Sequence, residues 1–430
     1  MSSGKSHWML NKMQEWYTEG KFKQFVYLSP LLSEVGGDKD PNTNTYKQGR
    51  IQKQLPAMKF AYPIPKGGSK KRHSLELLHQ GKNIAATHNL FLNLDASASD
   101  VIKDYSNILV IDECLDAYKQ FKNISKKSLG LLISQGIFSV DEASKLVYNR
   151  EKDSLPDDNW EFAELVELSE KGCLFYVNGD LLIWEYPVSI LAAFDEVWVL
   201  TYLFEGSFMS AWCKINNIEV VRVKPELHRS TQEVKDYIKE CIEVVVTPSI
   251  KKIEDYSYSQ MWWGNSAVTS VVDKIRKAIE SAVNMTKVKT TDILITCPKS
   301  NWSSDKTDYD EDYISVQGKI KNRPIIKGKG FSRADWLYSD ARATNDYSHK
   351  SLLIYLIGKN PNTVLWNFCH ARGVSIDKEL FAIASMVQWV FRGSVRRKEK
   401  MYLVMPSKEM RDLYWKWLNT NDDVLKESIK

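Results

Sequence analysis

The sequence alternates short apolar runs bounded by turn signals with stretches of helical period, and few architectures accommodate that pattern. Phe25–Leu28, Asn83–Thr87, Ile108–Asp112, Glu196–Leu203, Ile218–Val223, Ile293–Cys297 and Met401–Met405 each read as a strand bounded by turn signals. Helical periodicity falls between them at Trp8–Tyr17, Val268–Val283, Lys350–Ile357, Leu380–Phe391 and Lys408–Trp417, with Ser407 placed to cap the last. Strands that are apolar on both faces need cover on both faces. Alternation with helices therefore predicts an α/β chain with mostly parallel sheets. Leu174–Val177 and Leu181–Trp184 predict a hairpin turned at Asn178-Gly179.

At 430 residues the chain is longer than the roughly 250–300 at which single cores stop growing, so two domains are expected. The least busy boundary, Ser207–Cys213, divides it into 1–210 and 211–430, with 115–190 as an elaboration of the first. An apolar share of 43% with 26% charged residues excludes a disordered or fibrous chain. The net charge of +5 is mildly basic and compatible with a polyanionic partner. The six cysteines have no two within ten residues of each other, which gives neither a zinc pair nor a disulfide framework. Met1–Tyr17 has no signal-peptide pattern, and the longest apolar stretch, Tyr186–Phe204, is broken by Asp195 and Glu196. A soluble, cytoplasmic protein without membrane association is expected. Gly36–Pro56, Lys66–Arg72 and Lys299–Gly330, the last with an acidic run and then a basic one, read as surface loops.

Three local patterns carry chemistry. Gly4-Lys5-Ser6 opens a helical stretch, as the second half of a phosphate loop does: helix N–H groups cradle phosphates, the lysine neutralises charge and the hydroxyl reaches Mg²⁺. Ile108–Ile111 leads into Asp112-Glu113, a buried strand delivering one carboxylate to Mg²⁺ and a second to the attacking water. Gln388, Arg392 and Arg396 recur at i, i+4, i+8, which predicts one helix face offering Gln and Arg to a phosphate, with Arg397 beside it. Each has an ordinary alternative: a frayed terminus, a strand ending in an acidic turn, and the polar side of a helix.

His88 ends a strand with no second ligand at metal spacing, so it reads as a phosphate contact or a hydrogen-bonded strand end. Adjacent Cys369 and His370 do not by themselves make a dyad. Fourteen tryptophans exceed the usual share, and Trp262-Trp263 beside Tyr256 and Tyr258 suggests a surface for stacking bases, although most of the others belong to the core.

In order along the chain, these pieces resemble the superfamily 2 helicases, more closely the DEAD/DEAH-like proteins of bacteriophages and integrated elements. Gly4-Lys5-Ser6 resembles motif I, Tyr27–Glu34 motif Ia, Ala86–Phe91 the following "ATH" element and Ile111–Cys114 motif II. Val199–Leu203 resembles motif III, Leu294–Lys299 motif IV, Ser339–Tyr347 motif V and Gln388–Arg396 motif VI, and Met405–Arg411 is similar to the closing stretch. The pattern departs from the family in that only Met1–Ser3 precede Gly4, motif II reads Asp-Glu-Cys-Leu, and the motif VI arginines are four apart. The first departure leaves two expectations, a start lying further upstream or a compromised nucleotide site.

The resemblance implies two tandem RecA-like P-loop domains with ATP and Mg²⁺ in the cleft between them. Gly4, Lys5, Ser6, Asp112 and Gln388 would bind the nucleotide, with Ser6 and Asp112 on the metal. Glu113 would position water and Arg392 or Arg396 would be the arginine finger. Ser29, Pro30, Thr87, His88, Arg342 and Thr344 would face nucleic acid, with DNA favoured over RNA, and Thr201 would couple the two functions. The implied activity is that of a nucleic-acid-dependent ATPase working beside phage replication or recombination proteins in a bacterial host. Two alternatives stay open: a non-hydrolysing nucleic-acid scaffold with a degenerate phosphate loop, and a packaging- or recombination-type ATPase.

Overall fold

The computed structural model of the chain describes residues 4–40, 42–65, 69–94, 98–149, 161–179, 181–223, 230–303, 325–341 and 346–422. Two compact units emerge. Ser6–Pro225 and Asn362–Ile376 form one; Glu226–Pro361 and Asp377–Lys430, with Met1–Lys5, form the other. The division falls at Pro225/Glu226 rather than at 210/211, and one segment from the second half belongs with the first. Aromatic contacts explain that segment. Phe368 meets Tyr118 and Phe175 at centroid distances of 5.3 and 5.5 Å, and the Arg372 guanidinium lies 4.0 and 3.7 Å from the Phe175 and Phe368 rings.

In chain order the strands of the first unit are β1 (Gln24–Ser29), β2 (Asp38–Lys39), β3 (Tyr46–Lys47), β4 (Ile84–Thr87), β5 (Asn107–Asp112), β6 (Tyr118–Phe121), β7 (Phe138–Val140), β8 (Leu146–Tyr148), β9 (Leu174–Val177), β10 (Leu181–Glu185) and β11 (Glu196–Leu200). The main sheet runs β11-β5-β1-β4, wholly parallel, with Val26 opposite Ile84, Leu28 opposite Ile111 and Leu200 opposite Asp112. All six residues of β1 are buried, as an interior strand covered on both faces requires. Helix α1 (Lys5–Glu19) lays Met9, Leu10, Met13 and Trp16 on the face that carries Phe25, Tyr27, Ile108 and Val110.

The 115–190 region builds its own antiparallel sheet, β6-β10-β9, with a core that includes Leu129, Leu146, Leu165 and Leu182. Its hairpin pairs Val177 with Leu181, so the connection is three residues long rather than two. Asn178 and Gly179 both take the left-handed backbone, at φ of 54° and 78°.

The second unit holds β12 (Ile242–Val244), β13 (Ile293–Thr296), β14 (Asp335–Trp336), β15 (Leu352–Tyr355) and β16 (Met401–Val404) in one parallel sheet, ordered β12-β16-β15-β13-β14. Lys350–Ile357 is expected to be helical, yet its central residues form β15, the middle strand, with all four side chains buried. Short apolar runs fit either period, and its Leu, Ile and Tyr between two neighbouring strands settle it as sheet. Ile218–Val223, expected as a strand, lies outside every sheet; Val220, Val221 and Val223 are exposed and have no ladder to join. Helix α2 (Leu32–Val35) follows β1 and α3 (Arg50–Gln54) follows β3. Helix α4 (Val272–Thr286) buries Ile275, Ile279 and Val283 on one face of the second sheet. Helices α5 (Lys378–Val390) and α6 (Asn-terminated Lys408–Asn419) follow, and the Ser407 hydroxyl caps α6 by accepting from the Met410 N–H at 3.3 Å. Among the described residues no helix is long and apolar enough to cross a membrane.

Candidate functional site

The carboxyl edge of the first sheet is where the chemistry gathers. Gly4, at φ +91°, leads into α1, whose first residues are Lys5 and Ser6. The Ser6 hydroxyl donates to Asp112 Oδ1 at 3.2 Å, across 106 residues of chain. Tyr27 from the neighbouring strand donates its hydroxyl to Asp112 Oδ2 at 3.3 Å. Burial, then the charge of Glu113, raises the Asp112 carboxyl to about 6, against the opposing pull of the Ser6 bond and of Arg50. Burial also pushes the Tyr27 phenol well above its ordinary range, with the Asp112 charge adding to it.

Glu113 leaves the strand in the left-handed region at φ 71°, a conformation unusual for a residue with a Cβ and frequent at functional sites. Its N–H donates to the Leu200 carbonyl at 3.2 Å, which ties the turn to β11. Thr201 stands one residue beyond the Leu200–Asp112 pair, so the expected coupling residue adjoins the expected metal ligand.

The residues expected to face nucleic acid fare differently. Ser29 is wholly buried at the end of an interior strand, and His88 is buried as well, so neither presents its side chain to solvent. Thr87 spends its hydroxyl as a helix cap, accepting from the Leu90 N–H at 3.3 Å. Pro30 is partly buried in the turn after β1. Arg342 and Thr344 lie outside the described residues.

In the second unit, helix α5 stops at Val390, so Gln388, Arg392 and Arg396 do not share one helix face. Phe391–Gly393 turn the chain, and Ser394–Arg397 form a short 3₁₀ helix. Gly393 explains the turn, because a Cβ there would lie 2.4 Å from Met401 Sδ and 2.6 Å from Leu353 Cδ1. Arg392 is buried and donates Nη2 to the Ala341 carbonyl at 3.1 Å, while Arg396 is exposed. Beside it, Lys359 grips both oxygens of Asp340 at 2.5 and 2.6 Å and Ser385 donates to the same carboxylate at 3.0 Å. Burial alone would raise Asp340, but the Lys359 charge prevails and holds it below the usual carboxylate value.

The proposed base-stacking patch is largely core: Tyr258 and Trp263 are buried, and the Trp263 indole donates to the Leu356 carbonyl at 3.0 Å. Tyr256 stacks on Trp262 with ring centroids 5.4 Å apart, and both are only partly buried.

Tyr27 and Arg50 are the site residues that the sequence reading misses. Tyr27 has a faint signal, since alternation along β1 puts it on the side of the sheet that carries Asp112. Arg50 has none, because a loop and two short strands separate it from β1. Among the described residues no group of three or more His, Cys, Asp or Glu is placed to hold a metal by itself.

Residues 236–418 match the family described as the YonV C-terminal Rossmann-like domain. The chain is also similar to the SPbeta prophage-derived uncharacterized protein YonV of Bacillus subtilis (strain 168), 25% identical over 443 residues that cover 97% of each protein. The C-terminal unit is thus Rossmann-like, and the likeness along the chain is to a prophage protein.

Proposed function

We propose that the chain is a nucleic-acid-dependent ATPase of the superfamily 2 helicase kind, built on two RecA-like units and acting on DNA in the replication or recombination of a phage or mobile element. The observation that carries this reading is the 3.2 Å contact between Ser6 and Asp112, which brings the Gly-Lys-Ser helix start and the Asp-Glu strand end together at the carboxyl edge of a parallel sheet. That edge is where open α/β sheets receive ligands.

The donor set fits Mg²⁺. A serine hydroxyl and a carboxylate in contact, with a second carboxylate on the next residue, is oxygen-only chemistry, and Mg²⁺ is typically held by one or two carboxylates together with substrate phosphates. When bound, Mg²⁺ would neutralise charge on the phosphate oxygens. The protein's own part is then to hold and orient. Lys5 and the N–H groups of the first turn of α1 would bind phosphate, Ser6 and Asp112 would hold the metal, and Glu113 would orient the attacking water. Arg396, exposed like Arg397 beside it, is the better candidate for a phosphate contact than the buried Arg392.

A second reading, a nucleic-acid-binding protein that keeps the fold without turnover, is favoured by one observation: Arg392 is committed to a carbonyl of its own unit. Single-stranded DNA separates the two. The ATPase reading expects hydrolysis to rise severalfold when single-stranded DNA is added at low salt, and the stimulation to fade as salt rises. DNA binding with the same salt dependence but no hydrolysis supports the second reading and overturns the first.

A further inference from the structure

Two features at the same sheet edge have no role in the contacts described so far. The first is Ser29. Its hydroxyl is fully buried and has no hydrogen-bond partner among the described residues. Alternation puts Phe25, Tyr27 and Ser29 on one side of β1, and the β1–β5 register makes this the side of Ile108, Val110 and Asp112. A buried hydroxyl without a partner destabilises the fold unless something else comes to satisfy it.

The second is the pair formed by Glu34 and Arg50, whose Oε2 and Nε atoms are 2.5 Å apart with side chains 14% and 37% exposed. A backbone clasp seats it. A Cβ at Gly49 would fall 2.4 Å from the Gly36 nitrogen and 2.5 Å from the Glu34 carbonyl oxygen, so the two loops touch main chain to main chain. Gly36, at φ +81°, permits the turn, and Gln52 donates to the Val35 carbonyl at 2.8 Å to close it. Arg50 gives its Nε to Glu34, which leaves the fork of two terminal nitrogens for a further acceptor. Its place on the fold is at the site: Glu34 lies in α2, which follows the end of β1 that is level with Ile111 and Asp112 on β5.

We propose that Arg50, seated by Glu34, is a specificity-determining residue of the nucleotide site, taking the outer phosphates of a nucleoside triphosphate, with the Ser29 hydroxyl as a nearby buried partner. The inference rests on the nucleotide reading above. Arginine suits the task because its planar fork matches phosphate oxygens two at a time, which lysine's point charge does not. A site so built distinguishes a triphosphate from a monophosphate.

The test is displacement of a fluorescent ATP analogue from the full chain by unlabelled ATP or AMP with Mg²⁺ present. Arg50→Gln is expected to weaken ATP by about tenfold or more and AMP by less than about threefold, with Arg50→Lys recovering part of the loss. The double variant Glu34→Gln/Arg50→Gln leaves no unpaired carboxylate and should reproduce the ATP loss, which decides the matter if Arg50→Gln alone fails to fold. Unchanged ATP affinity in the double variant, or equal losses for ATP and AMP, overturns the role of Arg50 and leaves the nucleotide reading standing. A wild-type chain that binds neither nucleotide overturns the nucleotide reading and this inference with it.

Discussion

Asp112→Asn is expected to abolish Mg²⁺-dependent ATP hydrolysis, with a loss of about 10³-fold or more, while raising the stability of the protein at pH 8. The first effect follows from the role of the carboxylate: removing a preorganised charge at a reacting phosphate typically lowers turnover by two to three orders of magnitude or more. The second follows from linkage. Asp112 titrates at about 6 in the folded chain against an ordinary value of 3.8. The folded state therefore holds this proton more tightly than the unfolded state does, and stability falls as pH rises between those two values. The penalty is absent below the lower value and complete above the upper one. Asparagine removes it, and because Asp112 is only partly buried the gain is about 1–2 kcal/mol rather than the full shift. Thermal unfolding of both proteins at pH 4 and pH 8 checks this: the variant's advantage should appear at pH 8 and vanish at pH 4.

The largest effect on stability is expected at Asp422. Lys235 is completely buried in the helix Thr231–Cys241, and its ammonium donates to the Asp422 carboxylate at 2.6 Å and to the Thr420 carbonyl at 2.7 Å, with the Trp417 ring 5.4 Å away. Asp422→Ala strands that charge in the interior and should lower stability by about 3–5 kcal/mol. Lys235→Met in the same background replaces the stranded ammonium with an apolar side chain of similar length. It should return most of the loss, because removing both partners of a buried pair is often close to neutral. Urea unfolding of the three proteins measures both steps. A double variant no more stable than Asp422→Ala would mean that the pair contributes through something other than buried charge.

What could be read from the sequence was whatever leaves a local trace. Phe25–Leu28, Ile108–Ile111 and Ile293–Ile295 are short apolar runs closed by polar residues, as buried strands are, and Ser407 announces its helix because capping is decided within four residues. β15 has equally local chemistry, but the six apolar residues Leu352–Ile357 satisfy both periods, and only its two neighbours in the sheet decide between them. The arginines of Gln388–Arg396 fail for the opposite reason. Their spacing is helical, yet Gly393 sits against Met401 and Leu353, and the approach of a distant strand ends the helix at Val390, two residues short of Arg392. Asn362–Ile376 belongs with the first unit through Phe368 and Arg372, contacts invisible along the chain. Ser6 and Asp112, which meet at 3.2 Å, each lie in a pattern visible along the chain, whereas Arg50 is held against Glu34 by a glycine clasp that no spacing rule describes.

On the proposed reading, Gly4-Lys5-Ser6 and Asp112-Glu113 form a working nucleotide site. The most direct measurement is steady-state ATP hydrolysis by the full chain and by Lys5→Ala, with Mg²⁺ and with Mg²⁺ removed by chelation. The account predicts turnover by the wild-type chain that requires Mg²⁺ and falls to background in Lys5→Ala. Turnover that survives Lys5→Ala, or none in the folded wild-type chain, would contradict it.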